Sequence, residues 1–154
     1  MKTNAMRELD KLGVSYNVKQ HSKEVFTSGE AAAQRGVRLE QIAKTMICKT
    51  HDNRLIMSIL PGNRRLSLKK VAKVVGDRKV SLMSPNELRS KLKVIVGAIS
   101  PIDLAHKTDV ILVDQGILEE DIIDISSGRP DAGIELRSSD LVTTLNARVS
   151  EISD

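Results

Sequence analysis

Aromatic residues are almost missing from this chain: among 154 positions there is one tyrosine, Tyr16, one phenylalanine, Phe26, and no tryptophan. An aromatic ladder on which successive bases of a single strand would stack is therefore excluded. The core must be filled by Ile, Val, Leu and Met. Cysteine is nearly absent as well. Cys48 alone leaves no internal disulfide and no multi-cysteine zinc site, and it fits a reducing compartment in which a lone thiol is a small buried hydrophobe. No apolar run approaches the ~20 residues of a membrane span. The opening MKTNAMRELDKLG carries charges where a signal peptide needs an apolar stretch, so a cytoplasmic chain without membrane attachment is expected. Gly-x-Ser-x-Gly, a phosphate-binding glycine loop and a dinucleotide fingerprint are all missing. His21, His51 and His106 share no ligand spacing with one another or with Cys48, and neither a metal nor another cofactor is expected.

What is present fits one domain over residues 1–154, large enough to bury about two-thirds of its unfolded surface. The net charge of +4 is unevenly spread. Between Pro61 and Val80 basic groups far outnumber acidic ones, whereas the last third of the chain is strongly acidic. Such polarity suits a molecule that turns one face toward a polyanion.

Local patterns place the elements. Met6, Leu9 and Leu12 lie at helical spacing before Gly13, and VSYNV at 14–18 alternates as a strand does. Thr27 to Glu30 supply caps for a helix that Gly36 closes. Lys44 to Thr50 and Arg54 to Leu60 read as a hairpin joined by His51-Asp52-Asn53. From Ser67 to Val75 an apolar face (Leu68, Val71, Ala72, Val75) opposes Lys69, Lys70 and Lys73, with Gly76 as the stop. Ser84, Pro85 and Glu87 form a capping box that starts another helix. Strands follow at 110–113, 122–125 and 133–136 with a turn over 126–131, then a helix at 139–145 and a last strand near Val149. Strands and short helices interleave irregularly, without the alternation of a doubly wound fold. The expected class is α+β, with a mixed, strongly curved, barrel-like sheet flanked by short helices.

Three groups of residues can carry chemistry. Lys44 heads an apolar strand on the parity of Met46 and Cys48, where burial of its charge demands a reason; either it is solvated at the strand end or it points into a cleft toward an anionic or carbonyl ligand. Val96-Gly97-Ala98-Ile99-Ser100-Pro101 is either an ordinary loop or one that offers backbone N–H groups to an oxyanion. Arg64, Arg65, Lys69, Lys70, Lys73, Arg78 and Lys79 form a cluster suited to a phosphate backbone, with salt-sensitive binding. His106 is a weaker candidate, for positioning a water near the Gly97 loop.

In this order the segments resemble the YbaK and prolyl-tRNA synthetase-associated domain family of aminoacyl-tRNA deacylases. The resemblance runs from about residue 5 to the C-terminus. It is carried by Gln41-Ile42-Ala43-Lys44-Thr45, Leu66-Ser67-Leu68-Lys69-Lys70-Val71-Ala72, the Val96–Pro101 loop, and Ser126-Ser127-Gly128 leading to Ile134-Glu135-Leu136. It implies a YbaK-like fold and hydrolysis in trans of the ester between a small amino acid and the 3′ end of a tRNA, normally one for proline. The implied partners are the acceptor end of the aminoacyl-tRNA and prolyl-tRNA synthetase; nothing fixes an oligomeric state. Lys44 matches the family's essential lysine and Gly97, Ala98, Ile99, Ser100 and Pro101 its Gly-x-x-x-Pro loop. The implied substrate pocket comprises Thr27, Glu30, Met46, Ser127, Gly128 and Gly133; Arg64, Arg65, Lys69, Lys70 and Lys73 are the implied tRNA contacts. Members that remove cysteine carry an aromatic residue at Thr27, an acidic one at Gly133 and Gly-Gly at Gly97-Ala98, so this chain departs from them at all three places. Those departures also motivate a competing reading, a tRNA-binding or synthetase-docking module of the same fold without catalysis.

Overall fold

The computed structural model describes residues 2–154. Three of the eight-residue helices start where a short polar side chain satisfies an orphan amide, and the chain turns left-handed just after each of them. In α1 (Asn4–Lys11) the Thr3 hydroxyl accepts from Met6 N–H. In α2 (Ser28–Arg35) Thr27 accepts from Glu30 N–H and Gly36 ends the helix at φ 67°. In α3 (Leu68–Val75) Ser67 accepts from Lys70 N–H and Gly76 ends it at φ 72°. Both glycines adopt the left-handed cap without a Cβ penalty.

Strands β2 (Ala43–Thr50) and β3 (Leu55–Pro61) form the hairpin expected from the sequence. Thr50 N–H bonds to Arg54 O across His51, Asp52 and Asn53, and Asn53 takes φ 64°. With β4 (Val80–Leu82), β5 (Val110–Asp114) and β8 (Arg148–Ser150) they make a five-stranded sheet ordered β4-β2-β3-β5-β8, with β5 parallel to both its neighbours. A second sheet, β1-β7-β6, is antiparallel and contains β1 (Asn17–Gln20), β6 (Ile122–Arg129) and β7 (Ala132–Arg137). Helices α4 (Pro85–Glu87), α5 (Pro101–Leu104) and α6 (Ser138–Leu145) complete the described residues, a π-helical turn over Leu88–Leu92 following α4.

The α+β class holds, but the barrel-like sheet does not. Pairing splits into two sheets that touch through an isolated parallel bridge between Ile42 and Asp124. Irregular interleaving of strands and helices fits one curled sheet or two facing sheets equally well, and this chain encloses its core the second way. Ile47, Met57 and Ile59 of the larger sheet meet Ile123, Ile125, Ile134 and Leu136 of the smaller, with α1, α5 and α6 closing the ends. On the opposite face, α3 covers Cys48, Ile56 and Leu112. Ile59 and Leu60 are wholly buried, so truncating either to alanine costs about 2–5 kcal/mol. No described helix is long and apolar enough to cross a membrane.

Smaller departures have local causes. The first strand sits at 17–20 instead of 14–18, because its register is set by pairing Asn17 to Gln20 with Glu135 to Ala132. The turn expected over 126–131 is mostly strand, since β6 continues through a bulge between Ser126 and Arg129. Ser126, the last regularly paired residue before the bulge, stands on the same strand face as Asp124.

Candidate active site

The site forms where β2 is left uncovered. Strand β4 pairs only with Cys48 to Thr50, and Met83 N–H reaches Ile47 O, so the first half of β2 keeps an open edge. A cavity of about 250 Å³ lies there. One wall is the N-terminal turn and inner face of α2 with Thr27, Ala31 and Arg35; another is β2 with Lys44, Thr45 and Met46; Gly97 and Ile99 close it from the loop and Ser126 from β6.

Gly97 locks loop to helix. At φ 90° it occupies backbone space that other residues avoid, and a Cβ there would stand 2.2 Å from Phe26 O. The chain just before α2 therefore crosses directly over the loop. Within the loop Ala98 N–H is spent on Ile95 O at 3.0 Å, whereas the N–H groups of Gly97 and Ile99 meet no acceptor among the described residues. Phe26, Ile95 and Val96 are exposed apolar side chains beside the opening.

Lys44 is the half-buried cation of this cavity, and no carboxylate pairs with it among the described residues. Burial pushes its ammonium below the ordinary lysine range. An uncompensated charge held out of water is unfavourable for the empty protein and becomes favourable when an anion or carbonyl dipole arrives. Thr45 Oγ1 is buried beside it without a hydrogen-bond partner.

Of the residues singled out from the sequence, Lys44, Thr27, Met46, Gly97 and Ile99 share this cavity. Ala98, Ser100 and Gly128 line an adjoining one of about 230 Å³ on the far side of the loop. Ser100 caps α5 through Asp103 N–H, and Pro101 is the buried first residue of that helix. Glu30 turns away to close the α2 cap, accepting from Phe26 N–H at 3.2 Å and from the Thr27 hydroxyl at 3.2 Å. Ser127 is buried and donates to Ala132 O at 2.6 Å inside the bulge. Gly133 lies behind the wall, where a Cβ would meet Arg35 Nε and Asp124 Oδ1 at 2.6 Å. His106 borders a different groove, between α1, α5 and α6.

The basic cluster is divided. Arg64 pairs with Asp114 and Glu119, and Lys70 with Glu151 and Asp154. Arg65, Lys69 and Lys73 are exposed. On the hairpin side, His51, Asp52 and Asp77 bring ligand-type atoms within 4.8 Å of one another, but Arg54 contacts both carboxylates. Spacing concealed this group, because Asp77 arrives from 26 residues away.

Sequence reasoning missed Arg35. Its guanidinium, 3% exposed, donates to Asp124 Oδ1 at 2.8 Å, and burial lifts the Asp124 carboxyl to about 6 against the opposing pull of that arginine. Partners 89 residues apart leave no local signal.

Comparison with known proteins fits this geometry. A family model described as the aminoacyl-tRNA editing domain matches residues 22–144. A protein of Enterococcus faecalis named as a candidate Cys-tRNA(Pro)/Cys-tRNA(Cys) deacylase, EbsC, is 29% identical over 154 residues, covering 99% of this chain and 93% of that protein. The Escherichia coli protein named multifunctional Ser/Thr-tRNA deacylase ProXp-y is 28% identical over 137 residues, 86% of this chain and 80% of its own length. The crystal structure of a candidate trans-editing enzyme for prolyl tRNA synthetase superimposes with a TM-score of 0.82 at 20% identity, covering 100% of this chain and 99% of that one, and so shares the fold. Since the family model spans most of the chain, including Lys44 and the Gly97 loop, the protein belongs to the aminoacyl-tRNA editing domain family and is a hydrolase of mischarged tRNA.

Proposed function

We propose that this deacylase works in trans, as one domain in the cytoplasm, on a tRNA for proline that carries a small amino acid, with prolyl-tRNA synthetase as the partner whose errors it corrects. One observation carries the reading: an unpaired, half-buried Lys44 and the unspent N–H groups of Gly97 and Ile99 border the same cavity. Lys44 holds the acyl carbonyl or the terminal ribose electrostatically. Water adds to the ester carbonyl carbon, and the negative charge that develops on its oxygen is met by the loop amides. The C–O bond to the ribose then breaks, leaving a free amino acid and a ribose hydroxyl that takes up a proton. The reaction needs little more, because an activated ester is already poised and placement supplies much of the rate.

The remaining contacts follow from size and charge. The exposed apolar rim of Phe26, Ile95 and Val96 suits the base of the terminal nucleotide, while Arg65, Lys69 and Lys73 suit the phosphates of the acceptor arm. A deacylation screen with alanyl-, cysteinyl-, seryl- and prolyl-tRNA tests the reading. Release of a small amino acid from tRNA for proline, abolished in Lys44→Ala, is the expected result; equal rates in variant and parent remove Lys44 from the mechanism.

A further inference from the structure

We propose that the cavity on the far side of the Gly97 loop is a base-reading subsite, in which the Asp103 carboxylate accepts the exocyclic amine of the nucleobase next to the terminal one. It rests on the deacylase reading only for where the terminal nucleotide lies.

Val94, Ile95, Ala98 and Pro130 give this cavity of about 230 Å³ apolar walls, and Lys93 and Asp103 are its charged groups. Phe26 borders both this cavity and that of Lys44. Asp103 is half-buried, and its carboxylate makes no hydrogen bond or ion pair among the described residues. At the matching position of α4, Glu87 spends its carboxylate on Ser84 N–H at 3.1 Å and on Lys49 and Lys91. Asp103 closes no such box, although Ser100 accepts from its N–H. Burial raises the Asp103 carboxyl above the ordinary range, with His106 and Lys107 pulling it down, so a hydrogen-bond donor would be a gain. Gly128 leaves the carboxylate its space, since a Cβ there would stand 3.0 Å from Asp103 Oδ2. Lys93 is exposed and forms no ion pair among the described residues.

The class of ligand follows from these groups. A free ammonium would satisfy Asp103 but leave the apolar walls and the Phe26 ring unused. A flat heterocycle with an amine on one edge uses all of them: its faces lie against apolar side chains, its N–H meets the carboxylate, and Lys93 meets the phosphate that joins it to the terminal nucleotide. Cytosine, which precedes the terminal adenosine of a tRNA, offers its N4 amine, and acidic side chains accept from that group elsewhere. Uracil offers only an N3–H flanked by two carbonyl oxygens, both of which a carboxylate repels.

The test uses amide-linked seryl-adenosine extended on its 5′ side by cytidine or by uridine, measured by calorimetry beside hydrolysis of aminoacyl-tRNA by the same preparations. The parent is expected to bind the cytidine probe at least about tenfold more tightly. Asp103→Asn can turn its oxygen to cytosine or its amide N–H to uracil, so the ratio should fall to within about twofold. Asp103→Ala, with neither group, should flatten the ratio as well and serves if the first variant does not fold. Equal binding of the two probes by the parent, or a folded variant that keeps the full ratio, overturns the subsite; hydrolysis that persists beside that result leaves the deacylase reading standing. An Asp103-dependent preference that tracks the terminal base, adenine over hypoxanthine, and ignores its neighbour also overturns it. Preference for the cytidine probe without hydrolysis of any aminoacyl-tRNA upholds the subsite and refutes the deacylase reading instead.

Discussion

Lys70 on α3 and Lys44 on β2, a helix and a strand of one packed layer pair, have opposite surroundings. Lys70 on α3 is tied to Glu151, Asp154 and the Ser153 carbonyl at the surface; Lys44 on β2 is half-buried and has no carboxylate. From the sequence the α3 cluster looks like the stronger signal, because seven cations stand close together. The structure cancels two of them with acids from the C-terminal third, and the solitary lysine keeps its charge for a ligand. Availability, not density, separates a binding cation from a solvated or paired one.

Breaking the unpaired member of that comparison should have the largest effect. Lys44→Ala is expected to slow deacylation by about 100-fold or more, the range seen when one electrostatic partner of a developing oxyanion is removed, while thermal melting stays at or slightly above the parent value because an uncompensated charge has gone. Initial rates and melting curves on the same preparations check both halves.

A third kind of cation, buried and paired, sharpens the contrast. Asp124, opposite Arg35, has its carboxyl raised to about 6 from 3.8, so the folded protein holds that proton more tightly than the unfolded chain. Its contribution is fully present below about pH 4 and is lost as pH rises through 6, a swing of up to about 3 kcal/mol. Urea denaturation from pH 4 to 7 should show the parent losing stability relative to Asp124→Asn across that window.

Gly97→Ala probes the other half of the site. The residue sits at φ 90° with Phe26 O where a Cβ would go, so backbone strain of about 1–3 kcal/mol should lower the melting temperature and the deacylation rate together. The smallest effect belongs to the surface. Lys69→Ala/Lys73→Ala should reduce the salt dependence of tRNA binding by about two units of slope, and Lys70→Ala by less, since its charge is already countered; binding titrations at several salt concentrations separate them.

Local signals were read correctly where a few neighbouring residues decide the structure. Thr27 and Gly36 bound α2, Ser67 and Gly76 bound α3, and the β2–β3 hairpin closes over His51 to Asn53. Lys44, Thr27 and Gly97 were legible as a set only through their order along the chain. What stayed hidden was non-local: Arg35 meeting Asp124, Arg64 meeting Asp114, and the division of the strands into two sheets. Ser126, not its neighbours Ser127 and Gly128, lines the Lys44 cavity, because it precedes the bulge and shares the strand face of Asp124. β4 escaped notice because three residues carry too little periodicity.

Amide chemical shifts recorded while an amide-linked seryl-adenosine is titrated into the protein test the central claim most directly. The account predicts that Gly97 and Ile99 N–H and the Lys44 side chain shift together and saturate at one concentration, with α3 unmoved. Shifts confined to α3, with Lys44 and the loop silent, would contradict it.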